Sequence, residues 1–358
     1  MSTSGEADGH LGTVSSVAEI RPFRALRYDP AVAGPLESLV APPYDVIGPE
    51  QREELLGQSP YNVVHLTLPD SEEKAAASLA EWRDRGVLVR DEKPACWWLA
   101  QEYVGPDGVA RRREGLVAAL RAEPYENRVV LPHERTHAGP KEGRLRLLQA
   151  TRTQLEPLFF LWDGTIGIDG LGEPDLSSGG DSLWRLEAEF CEALTEELRD
   201  AELLIADGHH RYETALAFGD EAWLLAVIVP TGQEGLTIFP THRVAQSAGT
   251  AAGKPIDPPD GELPGPVLYR AGRYELLDGD GLDPEVVERA EPGGVTYTPS
   301  REEAIATVDR GDAEAAFLLR PTQIDDVWAV ARAGDVMPQK STFFYPKLTS
   351  GLLMLPLD

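Results

Sequence analysis

The chain has 358 residues and carries 60 Asp+Glu against 33 Lys+Arg, a formal charge of −27. An acid excess of this size argues against a protein that coats nucleic acid or lies on anionic membranes, because both need clustered Lys and Arg. No apolar run approaches the ~18 residues of a membrane span. Residues 1–16 are small and polar, without the basic end and apolar run of a signal peptide. A cytoplasmic protein with a disordered tail over residues 1–18 is expected. Cys96 and Cys191 stand far apart in apolar stretches, which points to neither a disulfide framework nor a thiolate metal site.

In chain order, a first strand is expected near residues 20–23. Gly48-Pro49-Glu50 opens a short helix to Leu56, with Pro in the first turn. Residues 61–68 alternate as a strand does. Asp70-Ser71-Glu72-Glu73 caps a helix that runs to Arg85 and stops at Gly86. Residues 95–104 and 109–120 flank Gly105-Pro106-Asp107-Gly108, which reads as a β-hairpin. A helix is expected over 141–154, a buried strand over 158–162, a Gly/Ser-rich loop over 164–180 and an amphipathic helix over 182–199. A strand over 203–206, a helix over 211–218 and a buried strand over 223–229 follow. Residues 247–266 are rich in Gly, Pro and Ala, and read as a linker or long loop. Beyond it come strands near 267–277, helices near 284–290 and 301–308, a strand over 315–319 and a helix over 323–331. Hairpins mixed with strand–helix alternation make α+β, a mixed sheet with flanking helices, the expected class. The expected organisation is a main α+β domain over 19–246, the linker over 247–266, and a C-terminal α+β region over 267–358 whose end returns to the site.

Three segments depart from the acidic background. Residues 128–152 hold six cations (Arg128, Arg135, Lys141, Arg144, Arg146, Arg152) against Glu134 and Glu142, together with His133 and His137. This is either a solvated helix face or an anion-binding wall. His133-Glu134-Arg135-Thr136-His137 matches the H-E-x-x-H zinc pattern, but Pro132 before it and Gly139-Pro140 after it leave room for one helical turn at most. Glu134 among cations suits a general base that stays ionised at neutral pH. The second segment is residues 203–211, an apolar strand running into Asp207-Gly208-His209-His210-Arg211 and then a helix. Backbone N–H groups and the dipole at such a helix start favour an anion. Gly208 permits close approach, Arg211 and the two His can grip phosphate, and Asp207 can orient a hydroxyl, a His or Mg²⁺. The third segment, residues 337–347, gathers two of the chain's six lysines (Lys340, Lys347) beside Ser341 and Thr342 without an acid. It reads as a terminal edge strand or as a flap that closes on phosphate.

Ile20-Arg21-Pro22-Phe23, Ala41-Pro42-Pro43-Tyr44-Asp45-Val46-Ile47, Ser59-Pro60-Tyr61-Asn62, Pro132-His133-Glu134 and residues 205–213 and 340–347 together resemble the domain of unknown function 1015 family, over nearly the whole chain. Three of these motifs, Pro132-His133-Glu134, Asp207-Gly208-His209-His210-Arg211 and Pro338-Gln339-Lys340-Ser341-Thr342, are similar in the same order to those of the ParB/sulfiredoxin-like free-serine kinase family. That resemblance implies a ParB/sulfiredoxin-like nucleotide-binding core with a large N-terminal elaboration to about residue 130. It implies phosphoryl transfer from ATP or ADP, with Mg²⁺, to the hydroxyl of serine or a similar small metabolite, giving O-phosphoserine. By position, Glu134 would be the base, Asp207, Gly208, His209, His210 and Arg211 would hold phosphates and Mg²⁺, and Lys340, Ser341 and Thr342 would close on the ligand. Asp45, His133, Arg135 and Lys141 are additional candidates. The Ala41–Asp45 loop, without counterpart in the kinase, would shape a different acceptor pocket. Two other readings use the same groups: a phosphatase or metal-dependent hydrolase built on His133, His137, Asp207 and His209, and a non-catalytic nucleotide-sensing module.

Overall fold

The computed structural model describes residues 17–134, 138–219 and 222–358. Most of the expected tail, and the candidates Arg135 and His137, lie outside the described residues. Nine strands form the main sheet: β1 (Ile20–Arg21), β2 (Trp97–Val104), β3 (Ala110–Arg121), β4 (Val130–Leu131), β5 (Leu158–Trp162), β6 (Leu176–Ser178), β7 (Asp181–Arg185), β8 (Leu203–Asp207) and β9 (Trp223–Pro230). Their order is β4-β8-β5-β9-β3-β2-β7-β6, with β1 added to β3. The pairs β4/β8 and β5/β9 are parallel and the others antiparallel. The protein is therefore α+β with a mixed sheet.

Both faces of this sheet are covered, so its central strands are apolar on both sides rather than alternating. In β8, Leu203 and Ile205 enter one core while Leu204 and Ala206 enter the other. The first core is closed by α1 (Ala188–Glu197) and α2 (His209–Phe218), through Cys191, Leu194, Tyr212 and Ala215. The second is closed by α3 (Ile324–Ala333) and the C-terminal segment, through Val327, Trp328, Phe344, Leu348 and Leu352. The C-terminal segment thus lies on the sheet face that carries the ends of β4 and β8.

A second, antiparallel sheet of six strands holds β10 (His242–Ser247), β11 (Gly253–Ile256), β12 (Val267–Arg270), β13 (Arg273–Leu277), β14 (Gly293–Thr298) and β15 (Ala315–Leu318), in the order β11-β13-β12-β15-β10-β14. Residues 247–266, expected as a linker or long loop, contain its edge strand β11. A separate two-stranded ribbon pairs Thr237–Phe239 with Phe343–Tyr345, in the register Thr237↔Tyr345.

Two local expectations are corrected. Residues 61–68 form no strand. Asn62, fully buried, accepts the Val64 N–H on Oδ1 at 3.0 Å and donates to the Ser38 and Val40 carbonyls, and the turn it organises continues into the short helix Val64–Thr67. The expected helix over 182–199 begins only at Ala188. Before it, Ser182-Leu183-Trp184 extends as β7, buried with period two, with Trp184 opposite Trp98 of β2. The two cysteines, distant in sequence, meet in the core beneath α1, where the Cys96 N–H donates to Cys191 Sγ at 2.7 Å, and both are free thiols. Among the described residues no helix is long and apolar enough to cross a membrane.

Candidate functional site

The parallel pairing of β4 with β8 decides what meets. Val130 faces Leu203 and Leu131 faces Leu204, so the residues leaving both strands emerge side by side at one sheet edge. One strand delivers His133 and Glu134, the other Asp207 and Gly208. In open sheets with parallel strands this carboxyl end is where ligands bind. Gly208 holds φ +101°, a left-handed value that disfavours side chains, and is the N-cap of α2 without a side-chain cap. A side chain here would also crowd Leu158 and the Arg211 guanidinium.

The C-terminal segment then crosses this edge. The Met337 N–H donates to the His133 carbonyl at 2.8 Å, and Glu134 and Met337 form a parallel β-bridge. Phe344 anchors the ribbon with its ring against Phe159 and His133. On either side of that anchor, Thr342 reaches His133 and Glu134, while Lys347 forms an ion pair with Asp207 Oδ1. Buried Arg113 donates to the Pro346 carbonyl at 2.8 Å and to the Gln101 side chain, which fixes the ribbon from behind.

His133 and His209 support one another. A carbonyl only accepts, so the 2.7 Å contact between His133 Nδ1 and the Ile205 carbonyl places the proton on Nδ1. Nε2 then accepts from Thr342 Oγ1 at 2.9 Å. His209 Nε2 accepts the His133 backbone N–H at 3.3 Å, and the two rings meet edge to face. Burial holds His133 down to about 4 and His209 well below the ordinary histidine value, the latter helped by His133 itself. Both are neutral at physiological pH, so His209, whose Nε2 is engaged as an acceptor, can offer a phosphate its Nδ1–H but no positive charge. His210 is half-buried and its carbonyl accepts from Thr214 Oγ1 at 2.7 Å.

The charged groups divide into a committed set and an open set. Asp207 accepts from Arg211 at 2.7 Å through Oδ2 and from Lys347 through Oδ1. Burial pushes its carboxyl up, but Lys347 and Arg211 prevail and hold it well below the usual range. Arg211 spends its other terminal nitrogen on the Pro157 carbonyl, so in place of the expected phosphate grip it braces the loop from beneath. Glu156, also buried, shares this brace: it accepts the Tyr44 N–H at 2.9 Å and lies 3.8 Å from Arg144, whose guanidinium stacks on Tyr44. Asp45 is exposed at the same loop and adds to the field at Arg211. Lys141 pairs with Glu213, and Ser341 turns its hydroxyl inward to the Pro338 carbonyl at 2.6 Å, so neither faces a ligand.

Glu134 and Lys340 form the open set. Burial raises the Glu134 carboxyl to about 7, and the pull of Lys340 and Lys347 only partly offsets it. The sequence expectation that neighbouring cations keep this carboxylate ionised underweights burial. Lys340 is exposed at the rim.

The expected magnesium site does not fit the residues as placed. Both Asp207 oxygens face cations, and the ring nitrogens of His133 and one of His209 are occupied. Among the described residues no group of three His, Cys, Asp or Glu is placed to hold a metal ion. The same occupancy engages Asp207, His133 and one nitrogen of His209, three of the four groups of the metal-dependent hydrolase reading, while His137 lies outside the described residues. Sequence reasoning passed over Glu156 and Lys347 as site groups. Glu156 had one signal, a lone charge between Leu155 and Pro157-Leu158, and Lys347 another, its rarity as one of six lysines.

The family model described as "Protein of unknown function (DUF1015)" matches residues 20–254, and the chain belongs to this family. No curated protein matches the chain. Among solved structures, a free serine kinase in complex with ADP, carrying a Glu-to-Ala substitution, is similar at 14% identity with a TM-score of 0.43, over 66% of this chain and 92% of that one. SbnI from Staphylococcus aureus, truncated at its C-terminus, gives 12% and 0.41 over 64% and 84%. A conserved hypothetical protein from Pyrococcus furiosus gives 16% and 0.39 over 66% and 95%. Likenesses this distant carry no functional argument.

Proposed function

We propose that this protein is a phosphotransferase that moves a phosphoryl group from ATP or ADP to the hydroxyl of a small metabolite, with serine as the reference acceptor. The observation that carries this reading is the placement of one half-buried carboxyl, Glu134, whose affinity for a proton is poised near neutrality, beside two lysines and the uncapped start of α2. A base works best when its pKa lies near the working pH, and phosphoryl transfer asks of a protein mainly positioning and positive charge. In the proposed step the acceptor oxygen bonds to the terminal phosphorus of the nucleotide. The bond from that phosphorus to its bridging oxygen breaks, the shortened nucleotide leaves, and the hydroxyl proton passes to Glu134. Lys340 and the first-turn N–H groups of α2 face the transferred charge. Thr342, held by His133, borders Glu134, and the Thr342 backbone N–H donates to its carboxylate. The motif resemblance to the free-serine kinase family supports the same reading.

The test is phosphoryl transfer from ATP and from ADP to L-serine and to a panel of small alcohols, followed by mass spectrometry of the acceptor. Wild type is expected to form a phosphate ester, and Glu134→Gln to bind nucleotide while losing at least a hundredfold in turnover. Nucleotide binding without turnover in either protein would favour the non-catalytic sensing module instead.

A further inference from the structure

A cavity of about 590 Å³ opens beside the cluster, and Lys347 stands in its wall. This volume falls within the roughly 300–1,000 Å³ of pockets that hold drug-sized ligands, and far exceeds what a free three-carbon amino acid needs. Its surface is mainly apolar and aromatic. Val40 and Val46 come from the Ala41–Asp45 loop and its flanks, Tyr103 from β2, Phe343 and Tyr345 from the C-terminal ribbon, and Leu348 from just beyond it. The aromatic wall is braced: Tyr103 and Tyr345 meet edge to face at 5.5 Å, and the Tyr103 hydroxyl donates to the Gly235 carbonyl at 2.9 Å. A rigid wall of this kind recognises a flat or bulky apolar body with little ordering cost.

Its charges are mostly spoken for. Lys347 is neutralised by Asp207, and Glu102 by Arg112 at 2.8 Å. Buried Asp181 accepts from Gln101 at 2.8 Å, and Gln101 in turn accepts from Arg113, which balances it. Glu37 remains on the rim without a cation among the ion pairs of the described residues. The wall is therefore neutral to negative, and disfavours a second anion beside the phosphates.

We infer that this cavity is the acceptor pocket, and that the acceptor is an alcohol with a bulky apolar or aromatic body, neutral or cationic, rather than a small hydroxy acid. The inference rests on the proposed phosphotransfer for the word acceptor, while the binding it asserts is measurable alone. Three probes separate the chemistries: phenylalaninol (aromatic, cationic), L-serine (small, zwitterionic) and D-glycerate (small, anionic). Calorimetric titration into the full chain with saturating ADP is expected to show phenylalaninol binding at least tenfold tighter than the other two. Val46→Trp, at a position 43% exposed on the rim, is expected to abolish that preference and leave ADP affinity unchanged. Glu37→Lys is a second, surface-charge variant, and is expected to weaken phenylalaninol and narrow its gap to glycerate.

Equal affinity for the three probes overturns the inference, as does a preference that Val46→Trp and Glu37→Lys leave intact. Loss of ADP binding in Val46→Trp also overturns it, because the cavity would then hold the nucleotide. Tight, Val46-dependent binding of phenylalaninol without phosphate transfer to any alcohol leaves the pocket standing and removes the proposed reaction.

Discussion

In the proposed reaction one side chain, Glu134, takes the proton. Its folded-state carboxyl sits near 7 because burial outweighs two nearby lysines. The rate of phosphoryl transfer at limiting substrate should therefore rise with pH through about 7 as the base ionises. A profile flat from pH 5.5 to 8 would show that this carboxyl is not the base. The same shift makes a stability statement with the opposite sense. The folded pKa lies above the unfolded one, so the folded state binds the proton more tightly between them, and stability falls as pH rises from about 4.5 to 7. Glu134→Gln removes that loss. It should be more stable than wild type at pH 8 by roughly 3 kcal/mol, with the gap closing towards pH 4, as read from denaturant unfolding at both pH values. The types at 207–211 announced an anion site, yet which charge serves a ligand and which serves a brace depends on partners up to 140 residues away, such as Lys347 on Asp207.

Elements were legible where local pattern and tertiary demand agreed. The run Leu-Phe-Phe-Leu at 158–161 and the Gly-Pro-Asp-Gly hairpin turn announce β5 and the β2–β3 pair, and Ser71 caps its helix as expected, accepting the Lys74 N–H. They were illegible where one side chain redirected the backbone, as buried Asn62 does, or where a strand adjoins a helix without a break, as β7 and α1 do across Arg185 to Ala188. The packing of α1 on the sheet carries its own test. Cys96 and Cys191 are both nearly inaccessible between them. A thiol reagent such as DTNB should titrate neither in the native protein within minutes, and both in guanidinium. Rapid labelling of native protein would show that α1 does not hold this position.

An acid excess of 27 charges is compatible with the proposed phosphate site. The acidity is distributed over the surface, where ion pairs such as Lys254–Asp278 and Arg310–Glu303 are exposed and worth little. The cations that matter are brought together by topology: a parallel strand pair presents Glu134 beside Asp207, and the chain's last segment returns across them with Lys340, Thr342 and Lys347. Such convergence of residues 134, 207 and 340 cannot be read from composition, because it follows from the register of β4 on β8 and from the Met337–His133 hydrogen bond. On the proposed function, this convergence binds the phosphates of a nucleotide. Calorimetric titration of ADP into wild type, Lys340→Met and the distant control Lys254→Met tests it most directly. Saturable binding by wild type, at least tenfold weaker binding by Lys340→Met and unchanged binding by Lys254→Met are expected. Absence of ADP binding to wild type, or equal affinities for the two lysine variants, would contradict it.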